Sequence, residues 1–297
     1  MLVERGPDMD IAPGNGHLLD GRTSDYLDWG LCSDQGPTRD HNEDFAVAVA
    51  EVDGEDQHDG RASRPPLFVV ADGLGGHAAG EVASRTAGET ALRQWVSGSF
   101  DDPPKALRAA VRAANTAVHI ASFDAGCAGM GSTLTALTLT GDEAIVAHVG
   151  DSRAYLIRGD ACLQLTSDHS RVGEMLRMKL ISPEQAAAHP ARSQLTRSLG
   201  STPGLQVDLV RHDVEPGDVF ILCTDGLWGD VAQQELLEAS RSLGSGLVDG
   251  VGAATGLVAL AVSREAADNI TAVVVHVRAE LPGGALQQRR SLFRWRR

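Results

Sequence analysis

The sequence predicts an α+β protein, and three observations carry that assignment. Apolar runs of strand length are joined by Gly-Asp turns, which make hairpins and therefore antiparallel pairs. Segments with helical spacing gather before and after the central strands instead of alternating with them. The longest apolar stretch, 246–263, is broken by Asp249, Gly250, Gly252 and Gly256, so it reads as a packed helix and not a membrane span.

Residues 1–26 lack periodicity and are rich in Gly, Pro and Asp, and a flexible arm is expected there. Residues 46–52 form a strand-like run, and 53–66 a polar insert expected to be an exposed loop. Leu-Phe-Val-Val-Ala at 67–71 is a buried strand ending at Asp72. A small-residue turn over 73–80 opens a helix over 81–96. A second helix follows Pro103-Pro104 and runs to 123, with Leu107, Val111, Ala114 and Val118 at helical spacing. Strands are predicted over 132–140, 144–149, 154–157 and 162–165, with hairpin turns at Gly141-Asp142 and Gly159-Asp160. Residues 168–200 are polar and short-helical, an excursion from the sheet. Strands return at 206–214 and 219–223, helices follow over 233–241 and 246–266, and a last strand covers Ile270–Val277. The tail 281–297 holds five Arg and no acid. A solvated, disordered tail is expected, with contact to an anionic membrane as the sharper alternative.

With 297 residues, 42% of them hydrophobic, the chain can build one large core. A net charge of −14 argues against bulk nucleic-acid binding and suits a protein that coordinates cations. Cys32, Cys127, Cys162 and Cys223 are widely spaced, as free thiols in a reducing cytosol are. No secretory apolar segment follows the opening Met-Leu-Val-Glu-Arg-Gly-Pro, and a cytoplasmic location is expected.

The chemistry lies in five acidic segments: Asn42-Glu43-Asp44, Asp72-Gly73, Gly150-Asp151-Ser152-Arg153, Thr224-Asp225-Gly226 and Asp268-Asn269. Most sit where an apolar run ends in a turn. Each alone is an ordinary turn, but together they supply oxygen ligands in fixed directions, as hard divalent cations require. An all-carboxylate set points to Mg²⁺ or Mn²⁺ and phosphoryl chemistry, not to zinc or redox work. Asp72 is the natural bridging ligand, and Gly73 leaves its carbonyl free to approach a metal. Asp225 and Asp268 would complete a first ion's shell, while Glu43 and Asp44 would orient waters bound to the ions. Arg39, four residues before Glu43, could grip a phosphate through two oxygens.

Taken in order, these segments resemble the motifs of the metal-dependent type 2C protein phosphatases, nearest to the compact bacterial members that oppose serine/threonine kinases. The resemblance rests on Arg39-Asp40-His41-Asn42-Glu43-Asp44, Ala71-Asp72-Gly73-Leu74-Gly75-Gly76-His77, Gly131-Ser132-Thr133 and His148-Val149-Gly150-Asp151-Ser152-Arg153. It continues through Leu195-Thr196-Arg197-Ser198-Leu199-Gly200, Thr224-Asp225-Gly226-Leu227-Trp228 and Asp268-Asn269-Ile270-Thr271. Each motif is weak alone; the ordered set, spanning about 28–278, is specific.

The resemblance implies a four-layer αββα sandwich with two antiparallel sheets, a catalytic domain over 27–279, and a variable flap over 168–193. By motif position Asp72, the Gly73 carbonyl, Asp225 and Asp268 would bind two core Mn²⁺ or Mg²⁺ ions. Asp44 would act through water, and Asp151 would join Asp225 on a weaker third ion. The implied reaction is hydrolysis of phosphoserine and phosphothreonine on proteins by in-line attack of a metal-activated water. A cognate Ser/Thr kinase is the implied partner, and nothing demands more than a monomer. Several eukaryotic relatives carry His where this chain has Leu74. Here His77 is the candidate general acid, with a structural role or a metal-bound water as alternatives. His148 reads as a satisfied core histidine, and Trp95 and Trp228 as packing residues. Two other readings keep the fold: a stress-response phosphatase of anti-sigma-factor antagonists, and a non-catalytic phosphoprotein binder. The absence of room for a sensor domain weighs against the first, and the retained Asp72, Asp225 and Asp268 against the second.

Overall fold

The computed structural model describes residues 18–49, 65–75, 78–98 and 102–281. Twelve strands are described: β1 Leu18–Thr23, β2 Leu27–Asp34, β3 Asp44–Val49, β4 Leu67–Leu74, β5 Gly131–Ser132, β6 Leu134–Thr140, β7 Glu143–Val149, β8 Arg153–Arg158, β9 Ala161–Gln164, β10 Asp208–Asp213, β11 Val219–Cys223 and β12 Ile270–Val277. The helices are α1 Ala78–Ser97, α2 Pro103–Ala121, α3 Arg171–Arg177, α4 Pro183–Ala187, α5 Asp225–Trp228, α6 Gln233–Gly244 and α7 Gly250–Ser263.

One sheet runs β1-β2-β12-β11-β8-β9; the other runs β10-β7-β6-β4-β3, with β5 beside β4. Every pairing is antiparallel. Strand periodicity explains the layers. In β4, Leu67 and Val69 pack toward α1 and α2, whereas Phe68 and Val70 meet the other sheet. In β12, Val273 and Val275 line the inter-sheet core, and Ala272 and Val274 face α6 and α7. Both faces of these strands are covered, so they read as continuous apolar runs. The result is the expected αββα order of layers.

The helices have local causes. Asp102 accepts from Lys105 N at 3.1 Å ahead of α2, whose Pro103-Pro104 suit a first turn. Asp249 does the same for α7 through Gly252 N at 2.8 Å. The 168–193 excursion holds α3 and α4, capped by Ser170 and Ser182. Its base is closed by a bridge between Ser170 and Leu195.

Several expectations need correction. Residues 18–23, assigned to the arm, form β1, paired residue for residue with β2 from Leu18–Ser33 to Thr23–Asp28. Strand β2 does not show in the apolar pattern, which Asp28, Gly30 and Ser33 interrupt, although Leu27 to Ser33 are buried. The strand predicted from 206 begins at Asp208, and the helix predicted over 246–266 is Gly250–Ser263. Residues 1–17, most of the 53–66 insert and the tail from 282 lie outside the described residues. Among the described residues, no helix is long and apolar enough to cross a membrane.

Candidate metal centre

The acidic segments converge at one end of the two sheets. Asp44 opens β3 and stands directly opposite Asp72 on β4. The Asp72 backbone is fixed from the β5–β6 region. Its N–H donates to Thr133 Oγ1 at 2.9 Å, and its carbonyl accepts from Thr133 N at 2.8 Å and Ser132 Oγ at 3.0 Å. Gly73 has no room for a side chain, because a Cβ there would lie 2.0 Å from the Gly80 carbonyl oxygen and 2.7 Å from that of Glu43. The Glu43 carbonyl accepts from Gly73 N at 3.1 Å and from Ser84 Oγ at 2.6 Å, which fixes the start of β3 to β4 and α1.

The other sheet contributes Asp225 and Asp268. Strand β11 ends at Cys223, and Asp225 begins the single turn α5. Thr224, just past β11, and Thr271 in β12 both donate to Asp44 Oδ2, each at 2.7 Å, so hydroxyls from the side of one sheet hold a carboxylate of the other. Asp268 precedes β12. Arg39 donates to its Oδ2 at 2.6 Å and to the Ala267 carbonyl at 3.2 Å. Asn269 ties the loop before β3 in place: its Nδ2 donates to the Gln35 and His41 carbonyls at 2.7 and 2.8 Å, and its Oδ1 accepts from Glu43 N at 2.8 Å.

Asp151 follows Gly150 between β7 and β8 and is buried. Trp228 Nε1 donates to its carbonyl at 3.0 Å. The same indole carries the Arg153 guanidinium, 3.6 Å above the ring, and Arg153 forks onto Asp168 at 3.0 and 2.7 Å. Trp228 therefore packs, as expected, and also supports the Asp151 turn. Trp95 is a buried packing residue whose Nε1 meets the Pro65 carbonyl at 3.1 Å. His148 is fully buried, with Nδ1 at 2.9 Å from Thr135 Oγ1. Its Nε2 has no well-formed hydrogen bond and lies toward the Ser167 backbone, so the histidine is only half satisfied. All four cysteines are free.

The electrostatics follow from burial and crowding. Burial, then Asp225, Asp44, Asp151 and Asp268, push the Asp72 carboxyl well above its ordinary value. Burial raises Asp44 to about 7, opposed by the Thr271 and Thr224 hydroxyls and reinforced by Asp225 and Asp268. Asp225 rises to about 6 through burial and Asp268, and Asp151 to about 8 through burial, Asp225 and Asp168. Each carboxylate thus makes its neighbours harder to ionise.

This donor set fits hard divalent cations. It consists of carboxylate and carbonyl oxygens, the ligands that hard divalent cations prefer. Among the described residues, no three His, Cys, Asp or Glu side chains are grouped closely enough to hold a metal ion as they stand, and Arg39 pairs with one oxygen of Asp268. Asp44, Asp151, Asp225 and Asp268 all lie near enough to Asp72 to act on its charge, and Arg39 lies beside Asp268 and Asp225. His77 lies outside the described residues. Thr224, Thr271 and Asn269 carry no sequence signal beyond their place beside the acidic residues.

Comparison with known proteins places the chain in a family. Residues 36–270 match the family model for protein phosphatase 2C. The chain is 34% identical over 215 residues to protein phosphatase PhpP of Streptococcus pneumoniae, covering 71% of this chain and 83% of that protein. It superposes on the Mycobacterium tuberculosis serine/threonine phosphatase PstP/Ppp with a TM-score of 0.72 and 33% identity, over 85% of this chain and 99% of the other. The catalytic domain of PstP in complex with two manganese ions gives a TM-score of 0.71 at 31% identity, over 85% and 99% of the two chains. On the family match, the identities and the shared fold, the chain belongs to the protein phosphatase 2C family.

Proposed function

We propose that this chain is a metal-dependent protein phosphatase that removes phosphate from phosphoserine and phosphothreonine. The observation that carries the reading is the gathering of Asp44, Asp72, Asp225 and Asp268 from both sheets, in a chain similar to PhpP and PstP. Asp72, the Gly73 carbonyl, Asp225 and Asp268 would hold two Mn²⁺ or Mg²⁺ ions. Asp151 would share a weaker third ion with Asp225. When bound, such ions neutralise phosphoryl oxygens and supply an activated water at neutral pH.

The chain's own residues have distinct tasks in this reading. Asp44, held by two threonine hydroxyls, and Glu43 would accept hydrogen bonds from water in the site and set its direction. Arg39 pairs with Asp268 through one nitrogen, and a phosphate would compete for the same guanidinium. His77 would give a proton to the leaving alkoxide. The residues from 168 to 193 would meet the protein substrate beside the site. We further propose a monomer acting in the cytoplasm on proteins phosphorylated by a Ser/Thr kinase.

Phosphate release from a phosphothreonine peptide, titrated with Mn²⁺ and with Mg²⁺, tests the proposal. Release that needs the cation and disappears in chelator is expected. Folded protein that releases nothing at any cation concentration would move the reading to a binding role.

A further inference from the structure

We infer that His169 is a positioning residue: it ties the Gly150–Asp151 turn to the base of the 168–193 segment and thereby sets how firmly Asp151 holds a cation. The inference rests on the proposed role of Asp151 as a cation ligand.

Residue 169 engages both backbone groups of Gly150. The His169 N–H donates to the Gly150 carbonyl at 2.7 Å, and the Gly150 N–H donates to His169 Nδ1 at 3.1 Å. The turn cannot be stiffened by a side chain of its own. Gly150 has φ +112°, and a Cβ there would lie 2.6 Å from the Thr133 side chain. Its rigidity therefore comes from outside, from His169 at Gly150 and from Trp228 at the Asp151 carbonyl.

His169 is itself held on three sides. Its carbonyl accepts from Thr196 N at 2.7 Å. Its Nε2 lies 3.0 Å from Asp208 Oδ2, and the other Asp208 oxygen accepts from Arg197 at 2.7 Å. The ring is fully buried, with the His148 ring 4.7 Å away. A ring that accepts at Nδ1 and faces a carboxylate at Nε2 carries its proton on Nε2. One neutral tautomer thus satisfies Gly150 and Asp208 together. Weak cation sites depend on ligand rigidity, and partners that orient a ligand are worth about 10–100-fold in affinity.

The test uses the full chain, Mn²⁺ calorimetry and nitrogen NMR, with His169→Ala, His169→Asn and Asp151→Asn. In the wild type the His169 ring should show an unprotonated Nδ1 and a protonated Nε2, with a slowly exchanging Gly150 amide. His169→Ala should lose that protection and weaken the weakest Mn²⁺ step by about tenfold, leaving tighter steps unchanged. His169→Asn, whose Oδ1 can replace Nδ1 as acceptor, should recover the protection and most of the affinity. Asp151→Asn should remove the weak step while Gly150 stays protected. A weak step lost in Asp151→Asn but unchanged in His169→Ala would overturn the inference and leave the Asp151 assignment standing. An isotherm unchanged in Asp151→Asn would overturn the assignment, and the inference with it. If His169→Ala does not fold, a wild-type ring protonated on Nδ1 would still contradict the inference.

Discussion

Asp44 and Asp72 are directly opposed on adjacent antiparallel strands, and the two threonines that hold Asp44 come from the side of the other sheet. A pair of like charges is thus built into the strand register, and the site crosses from one sheet to the other through Asp44. Such an arrangement repels itself unless a cation or a proton intervenes.

The first consequence concerns pH. Burial and neighbouring carboxylates place Asp225 at about 6, Asp44 at about 7 and Asp151 at about 8. These values lie above the ordinary aspartate value of about 3.9, so the folded chain binds more protons than the unfolded one. The stabilisation is full below the unfolded value and is lost as pH rises through the folded ones. Cation-free protein should melt at progressively lower temperature as pH is raised from about 6 to about 8, and the stabilisation by Mn²⁺ should grow across that window. Melting curves in chelator that stay flat or rise there would refute this.

Asp225→Asn separates stability from function. Removing one charge from the cluster relieves Asp72, Asp44 and Asp151, so the variant should melt no lower than wild type in chelator. Its cation-dependent turnover should fall below detection. Turnover near the wild-type rate would remove Asp225 from the ligand set.

The hydroxyl frame makes its own prediction. Thr271→Val keeps the side-chain volume and deletes one of two hydrogen bonds to Asp44. Mn²⁺ affinity should drop by about tenfold, and Thr224→Val with Thr271→Val should drop it further. Calorimetry showing no change in either variant would leave the two hydroxyls without a part in cation binding.

Arg39 should divide binding from catalysis. Its pair with Asp268 is largely exposed, with side chains 45% and 35% accessible, so Arg39→Ala should cost about 0–1 kcal/mol of stability. The Michaelis constant for a phosphopeptide should rise about tenfold, or ~1.4 kcal/mol, with a smaller effect on kcat. Arg39→Lys should not restore it, because an ammonium lacks the planar fork. An unchanged Michaelis constant would place Arg39 outside the phosphate site.

Legibility followed chemistry. Strand β12 was readable at both ends because it is covered on two faces and bounded by Asn269 and Arg278. Strands β1 and β2 were not, since Asp20, Arg22, Asp28 and Gly30 break the alternation on which strand recognition depends. The single turn α5 is too short to show a helical period. Asp72, Asp151 and Asp225 could be read because an acid closing an apolar run is conspicuous, and Asp44 and Asp268 because each stands just before one. Thr224, Thr271 and Asn269 could not, because threonine is common in strands and asparagine in turns, and their roles arise only when distant segments meet. His169 gave no signal, since its partners Gly150 and Asp208 lie 19 and 39 residues away.

The central claim is that the carboxylate cluster is a two-cation centre organised by Asp72. Anomalous diffraction from crystals grown with Mn²⁺ tests it most directly. Two manganese peaks, both in contact with Asp72 and one also with Asp225 and Asp268, are predicted. A single ion, or ions that do not touch Asp72, would contradict the account.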